Sequence, residues 1–156
     1  MTKAAKKVDI LLGTGNPAKQ AMLAELVEGL PLNPVSPQDI GLDSNPDETA
    51  PSHEEVAQDK AAQWSLDSGL LTIASDGGLV IPSLGSKWES LFTHRFAGTS
   101  ATDNDRADEL LKLMSPYEND SRSASWVEAL AIADKGQVLK SWSLAGATGL
   151  IADHTR

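Results

Sequence analysis

The sequence contains no cysteine. That excludes disulfides, thiolate nucleophiles and thiolate metal sites. Histidine is scarce too: His53, His94 and His154 lie far apart and do not read as a histidine metal cluster. Cations are the minority charge, with 13 Lys and Arg against 22 Asp and Glu, a formal net charge of −9. A surface of that sign repels nucleic-acid backbones, so nucleic acid is not an expected partner. No apolar run approaches the roughly 20 residues of a membrane span. The start, MTKAAKKVDI, is basic but has no apolar signal-peptide core. These absences lead to the expectation of a cytoplasmic protein without membrane contact.

What is present is ordinary globular composition, 40% hydrophobic and 22% charged over 156 residues. That length suits a single domain, 1–156. VDILL reads as a buried strand. Asn16 is a good N-cap and Pro17 falls at the first helical position. The helix they open runs to about Val27, with Ala18, Met22 and Leu26 as its core face and Gly29 as its stop. Residues 31–49 carry four prolines and read mostly as loop, with room for a short edge strand. Ser52 and Glu55 form a capping-box pattern for a second helix, whose core face is Val56, Ala57, the Lys60 stem, Ala61 and Trp64. LLTIASD and LVIPSL read as two further strands, and DRADELLKLM as a third helix capped at Thr102 or Asp103. ASWVEALAIAD and QVLKSWSLAG read as strands joined by a hairpin at Asp134-Lys135-Gly136, with Trp126 and Trp142 assigned to core packing, the alternative being a dimer interface that covers the exposed edge. The order predicts an α/β fold, a mixed sheet flanked by helices.

GTGNPAK, at 13–19, joins the first strand to the first helix. Gly13-x-Gly15-x-x-Ala18 fits a loose dinucleotide fingerprint, and Asp39 has the spacing of its ribose acid. The setting of Asp39, PVSPQDI, is a poor central strand, and no second βαβ half follows. A P-loop is absent as well. The remaining reading is a helix N-terminus with free N–H groups that favour an anion, where Lys19 sits against the dipole unless an anion lies between. The alternative is a lysine pointing into water. Asp76 follows an apolar strand and precedes Gly77-Gly78. It is either a turn residue or a ligand-binding acid at a strand end. A pair such as Glu48 and Asp76 could hold Mg²⁺, which takes one or two carboxylates plus phosphates and water. Lys60 either snorkels or reaches a phosphate.

Four segments in order carry a resemblance: GTGNPAK, DETAPSHEEVAQDKA, IASDGGLVIPSLG and FTHRFAGTSATD. They resemble the inosine triphosphate pyrophosphatase family, with its T-G-N-x-x-K, E-T-G-x-T-F-x-E-N-A-x-x-K-A, D-D-S-G-L and S-A-R-[YF]-x-G…A-T-D patterns. The match is collinear over residues 8–114 and weaker beyond. The resemblance implies Mg²⁺-dependent hydrolysis of non-standard purine nucleoside triphosphates to the monophosphate and pyrophosphate. It implies that Thr14, Gly15, Asn16, Lys19, Lys60 and Gly77 bind substrate, that Glu48 and Asp76 bind metal, and that Asp76 is the general base. A homodimer is the expected assembly.

The departures are local. Ser75 replaces the first acid of D-D-S-G and Gly77 its serine; Val56 replaces the asparagine of E-N-A and His94 the small residue of S-A-R. The pattern's later G-F-G-Y-D, lysine and S-H-R, which read the base, have no counterpart before IADHTR. The chain therefore reads as a C-terminally truncated or divergent member, with little base discrimination expected and gain of activity expected from Ser75→Asp. The alternative is a catalytically degenerate relative that binds phosphate weakly or serves as an interaction module.

Overall fold

VDILL forms β1 (Val8–Leu12) and leads through the glycine turn into α1 (Pro17–Val27). The computed structural model describes residues 6–156. The remaining elements are β2 (Leu32–Val35), α2 (His53–Ser68), β3 (Leu71–Val80), α3 (Asp103–Met114), β4 (Ser123–Asp134) and β5 (Gln137–Leu150), with short 3-10 turns between them. The sheet order is β2-β1-β3-β4-β5. β1 runs parallel to both neighbours, pairing Val8 with Leu32 and Ile10 with Leu71. β4 and β5 are joined through Lys135 and Gly136, both at positive φ (49° and 82°), the two-residue turn that makes an antiparallel hairpin. The mixed α/β sheet and this hairpin follow the sequence expectation. Among the described residues no helix is long and apolar enough to cross a membrane.

The chain divides into two compact units: one ends at Asp76 and adds Ala129–Ser143, and the other is Gly77–Glu128 with Leu144–Arg156. In the first, side-chain alternation along the strands separates two packing faces. Ile10, Leu12 and Ile73 pack with Leu23 and Val27 of α1. Ala74, Ala129, Ala131 and Ala133 pack with Ala57 and Ala61 of α2. One helix thus rests on branched side chains, and the other meets a patch of alanine methyl groups. In the second unit, Ile81, Leu84, Trp88, Met114 and Ala124 form the core. There Trp88 meets Phe96 edge-on at 4.8 Å and donates to the Leu79 carbonyl. Arg122 donates to the carbonyls of Met114, Tyr117, Ile151 and Ala152.

Three expectations are corrected. LLTIASD and LVIPSL are not two strands: β3 is continuous from Leu71 to Val80, and 3-10 turns begin at Pro82. LNPV, by contrast, is the short edge strand for which the proline-rich segment left room, and it tolerates Pro34 because an edge does not need every N–H. The buried face of α1 is Leu23 and Val27, while Ala18 and Leu26 are exposed. Trp126 and Trp142 are more than a third exposed rather than core. β5 is an edge strand with no buried residue, so Trp142 has strand neighbours on one side only.

Gly13 shows why the turn begins with glycine. A Cβ there would lie 2.9 Å from Thr72 Cγ2 and 3.2 Å from both the Ile73 oxygen and Ala74 Cβ, whereas one at Gly15 would meet nothing within 4 Å. Gly13→Ala is therefore expected to cost about 1–3 kcal/mol by overpacking. Gly15→Ala is expected to stay within about 0.5 kcal/mol. Urea denaturation of the two variants checks the contrast, and equal midpoints would refute it.

Candidate active site

The turn after β1 is organised by its own side chains. Asn16 caps α1, its Oδ1 accepting from the amides of Ala18 (2.9 Å) and Lys19 (3.4 Å). The Asn16 amide donates to Thr14 Oγ1 at 3.1 Å, and Gln20 Nε2 donates to the Thr14 carbonyl at 2.9 Å. Thr14 is buried, Asn16 and Lys19 are half-buried, and Gly15 is exposed. The helix-start amides are thus already engaged, a correction to the expectation of free N–H groups. With Oδ1 occupied, Asn16 keeps its Nδ2 hydrogens as donors. The location is one that favours ligands: β1 lies between β2 and β3 in the 2-1-3 order of doubly wound folds, whose ligands sit beyond the carboxyl ends of the strands at the switch point.

Asp39 does not act as a ribose acid. It accepts from the Ser36 amide at 2.9 Å while its own amide donates to the Ser36 hydroxyl at 3.2 Å. Hydrogen bonding from the Ser36 amide, and then from its hydroxyl, holds the Asp39 carboxyl below the usual carboxylate value. The acid is spent on a local turn, and the dinucleotide reading goes with it.

Glu48 and Lys60 meet. Lys60 Nζ lies 3.1 Å from Glu48 Oε1, with the lysine side chain 8% exposed and the glutamate 40%. Lys60 reaches this position because α2 turns its Val56, Ala57, Lys60, Ala61 and Trp64 face inward, as the sequence expected. Ser52 opens the helix, accepting from the Glu55 amide at 3.2 Å and donating to Glu55 Oε2 at 2.8 Å.

Asp76 is neither a turn residue nor at a strand end. It lies inside β3, and neither Gly77 nor Gly78 has positive φ. By alternation it shares the face of Ala74, toward α2. Its partner is a residue the sequence reading passed over: His53 Nδ1 stands 2.5 Å from Asp76 Oδ2, the two side chains 10% and 14% exposed. The available signal was the second motif itself, where ETAPSHEE laid on E-T-G-x-T-F-x-E puts His53 at the phenylalanine.

Gly77 is glycine for lack of space. A Cβ there would come within 2.2 Å of Glu128 Oε2 and 2.9 Å of the Val127 oxygen. The same Glu128 Oε2 accepts from Trp126 Nε1 at 2.7 Å. Ser75 is fully buried, and its hydroxyl has no hydrogen-bond partner.

The donor chemistry suits a hard divalent cation only with help. Glu48 and Asp76 are oxygen donors, and Glu48 Oε1 and Asp76 Oδ2 are already engaged by Lys60 and His53. Among the described residues no group of three or more His, Asp or Glu could hold a metal unaided. Two carboxylates completed by phosphate oxygens and water are the usual Mg²⁺ arrangement.

Sheet order, turn and helix make this a mixed α/β protein whose glycine turn follows a central parallel strand. The Ham1 family model matches residues 10–156, and the chain belongs to that family. A dITP/XTP pyrophosphatase of Photorhabdus laumondii is 35% identical over 117 residues, covering 75% of this chain and 58% of that protein. One of Anaeromyxobacter dehalogenans is 31% identical over 152 residues, covering 81% and 65%. The chain therefore spans less than two thirds of the length of these relatives. The structure of a HAM1 protein from Coxiella burnetii superposes with a TM-score of 0.79 at 27% identity, covering 96% of this chain and 75% of that one. The family resemblance and the α/β fold expected from the motifs are both borne out.

Proposed function

We propose that this chain hydrolyses non-standard purine nucleoside triphosphates to the monophosphate and pyrophosphate. The observation that carries the reading is the meeting of two motif residues from different elements, Lys60 on α2 and Glu48 in the preceding loop, 3.1 Å apart. Relatives named dITP/XTP pyrophosphatases support the substrate class. Lys19 and Lys60 would stabilise charge growing on the departing pyrophosphate, and Thr14, Gly15 and Asn16 would line the triphosphate with donors; the motif adds Gly77 to the substrate-binding residues. Glu48 and Asp76 would hold a divalent cation, Mg²⁺ on this reading, whose charge screens the triphosphate. Asp76 would take a proton from the water that attacks the α-phosphorus.

The resting pair of Lys60 and Glu48 fits such a role: each would exchange its partner for the opposite charge brought by substrate and cation, so neither is left buried alone. A homodimer in the cytoplasm is the form this reading expects. The second reading, a catalytically degenerate phosphate binder, draws on Glu128 filling the space of the motif's serine and on the acid missing at Ser75. Pyrophosphate release from inosine, xanthosine and adenosine triphosphates, with and without Mg²⁺, separates the two. Mg²⁺-dependent release is expected. Binding without release would select the degenerate reading.

A further inference from the structure

We propose that His53 is a positioning residue for Asp76, fixing the plane of its carboxyl group so that one oxygen faces the chemistry. The inference rests on the proposed role of Asp76 as base and cation ligand. His53 Nδ1 and Asp76 Oδ2 are 2.5 Å apart, and both side chains are largely withdrawn from water. A carboxylate only accepts hydrogen bonds, so Nδ1 is the donor. The terminal torsion of aspartate is broad and roughly two-fold, and an unheld carboxyl samples many orientations. The bond to His53 removes that freedom and commits Oδ2, leaving Oδ1 as the oxygen for a cation or a proton.

The donor is itself well fixed. His53 is the first residue of α2, directly after the Ser52 cap. The helix is seated on the alanine face that Asp76 shares by strand alternation. The family pattern has phenylalanine at this position, which fills space but cannot donate to a carboxylate. At Ser75 and Gly77, on either side of Asp76, this chain departs from the same pattern. The His53 contact thus supplies orientation to Asp76 where its flanking residues have lost their polar side chains or shortened them.

Outer-shell partners of this kind are worth about 10–100-fold in activity or metal affinity. The test uses His53→Phe, which restores the pattern residue and loses the donor, and the near-isosteric pair His53→Asn and His53→Leu. The asparagine Nδ2 stands at the same bond distance from Cβ as histidine Nδ1; leucine has no donor. Steady-state kinetics on inosine triphosphate are combined with Mn²⁺ titration by electron paramagnetic resonance in the presence of a non-hydrolysable α,β-imido triphosphate. Expected are a kcat lower by about 10–100-fold in the Phe and Leu variants, KM within about twofold, weaker Mn²⁺ binding, and recovery of most of both losses in the Asn variant. If the Phe variant does not fold, the Asn–Leu contrast carries the same decision.

Wild-type values in the Leu variant, or equal losses in Asn and Leu, would overturn the proposal. Asp76→Asn distinguishes this from failure of the underlying reading. If Asp76→Asn destroys turnover while the His53 variants are unimpaired, only the positioning role falls. If Asp76→Asn turns over normally, or the wild-type chain neither cleaves the nucleotide nor binds Mn²⁺ with its analogue, the proposed function itself falls.

Discussion

Asp76→Asn is expected to lower turnover of inosine triphosphate by about 10³-fold, close to 4 kcal/mol of transition-state stabilisation. Asparagine keeps the shape of the side chain and can still accept from His53 Nδ1, so the local packing has no reason to change. What disappears is the charge. An amide cannot take a proton from water at neutral pH and is a weaker cation ligand than a carboxylate. The loss should therefore appear mainly in kcat, with the thermal transition preserved within a few degrees. Kinetics and a circular-dichroism melt on the same preparation check it. Turnover within tenfold of wild type would remove Asp76 from the reaction.

Ser75→Asp is expected to have a large effect of a different kind. The motif comparison suggests that it restores a lost acid and raises activity. The structure argues the reverse for stability. Ser75 is fully buried and its hydroxyl already lacks a partner. By strand alternation it shares the face of Ile73, among the branched side chains under α1, while Asp76 points to the other face. A carboxylate placed there is withdrawn from water on an apolar face, a cost of several kcal/mol after relaxation. At about 2–4 °C per kcal/mol for a chain of this size, a melting temperature lower by about 10 °C follows. Ser75→Ala should instead be neutral or stabilising, because it deletes an unsatisfied buried hydroxyl. Melts of the two variants beside wild type decide this, and an unchanged transition for the aspartate variant would refute it.

Much of the fold was legible because local signals agreed with tertiary packing. Asn16-Pro17 and Ser52…Glu55 mark helix starts, and Lys135-Gly136 marks the hairpin, through chemistry that acts over a few residues. Asp76-Gly77-Gly78 misled for the opposite reason. D-G is a strong turn signal, but Gly77 is small because Glu128 of a neighbouring strand fills its side-chain space, and no local rule reports that. The site was legible in part. The second motif singles out Glu48 and Lys60, but their pairing with each other is a tertiary contact that the motif does not state. His53 carries no metal-cluster signal in the sequence, and the carboxylate it meets lies 23 residues away, beyond the reach of any local pattern.

The methyl face beneath α2 has a consequence for how this sequence can drift. Ala57 and Ala61 seat the helix on Ala74, Ala129, Ala131 and Ala133, and the same helix carries both Lys60 and His53. A helix moves as a rod. One added carbon anywhere on that face acts as a shim, lifting Lys60 from Glu48 and His53 from Asp76 in a single displacement. Six uncharged residues therefore gauge the clearance of two ion contacts, and a change of alanine to valine would be recorded as altered chemistry well before it was recorded as a lost fold.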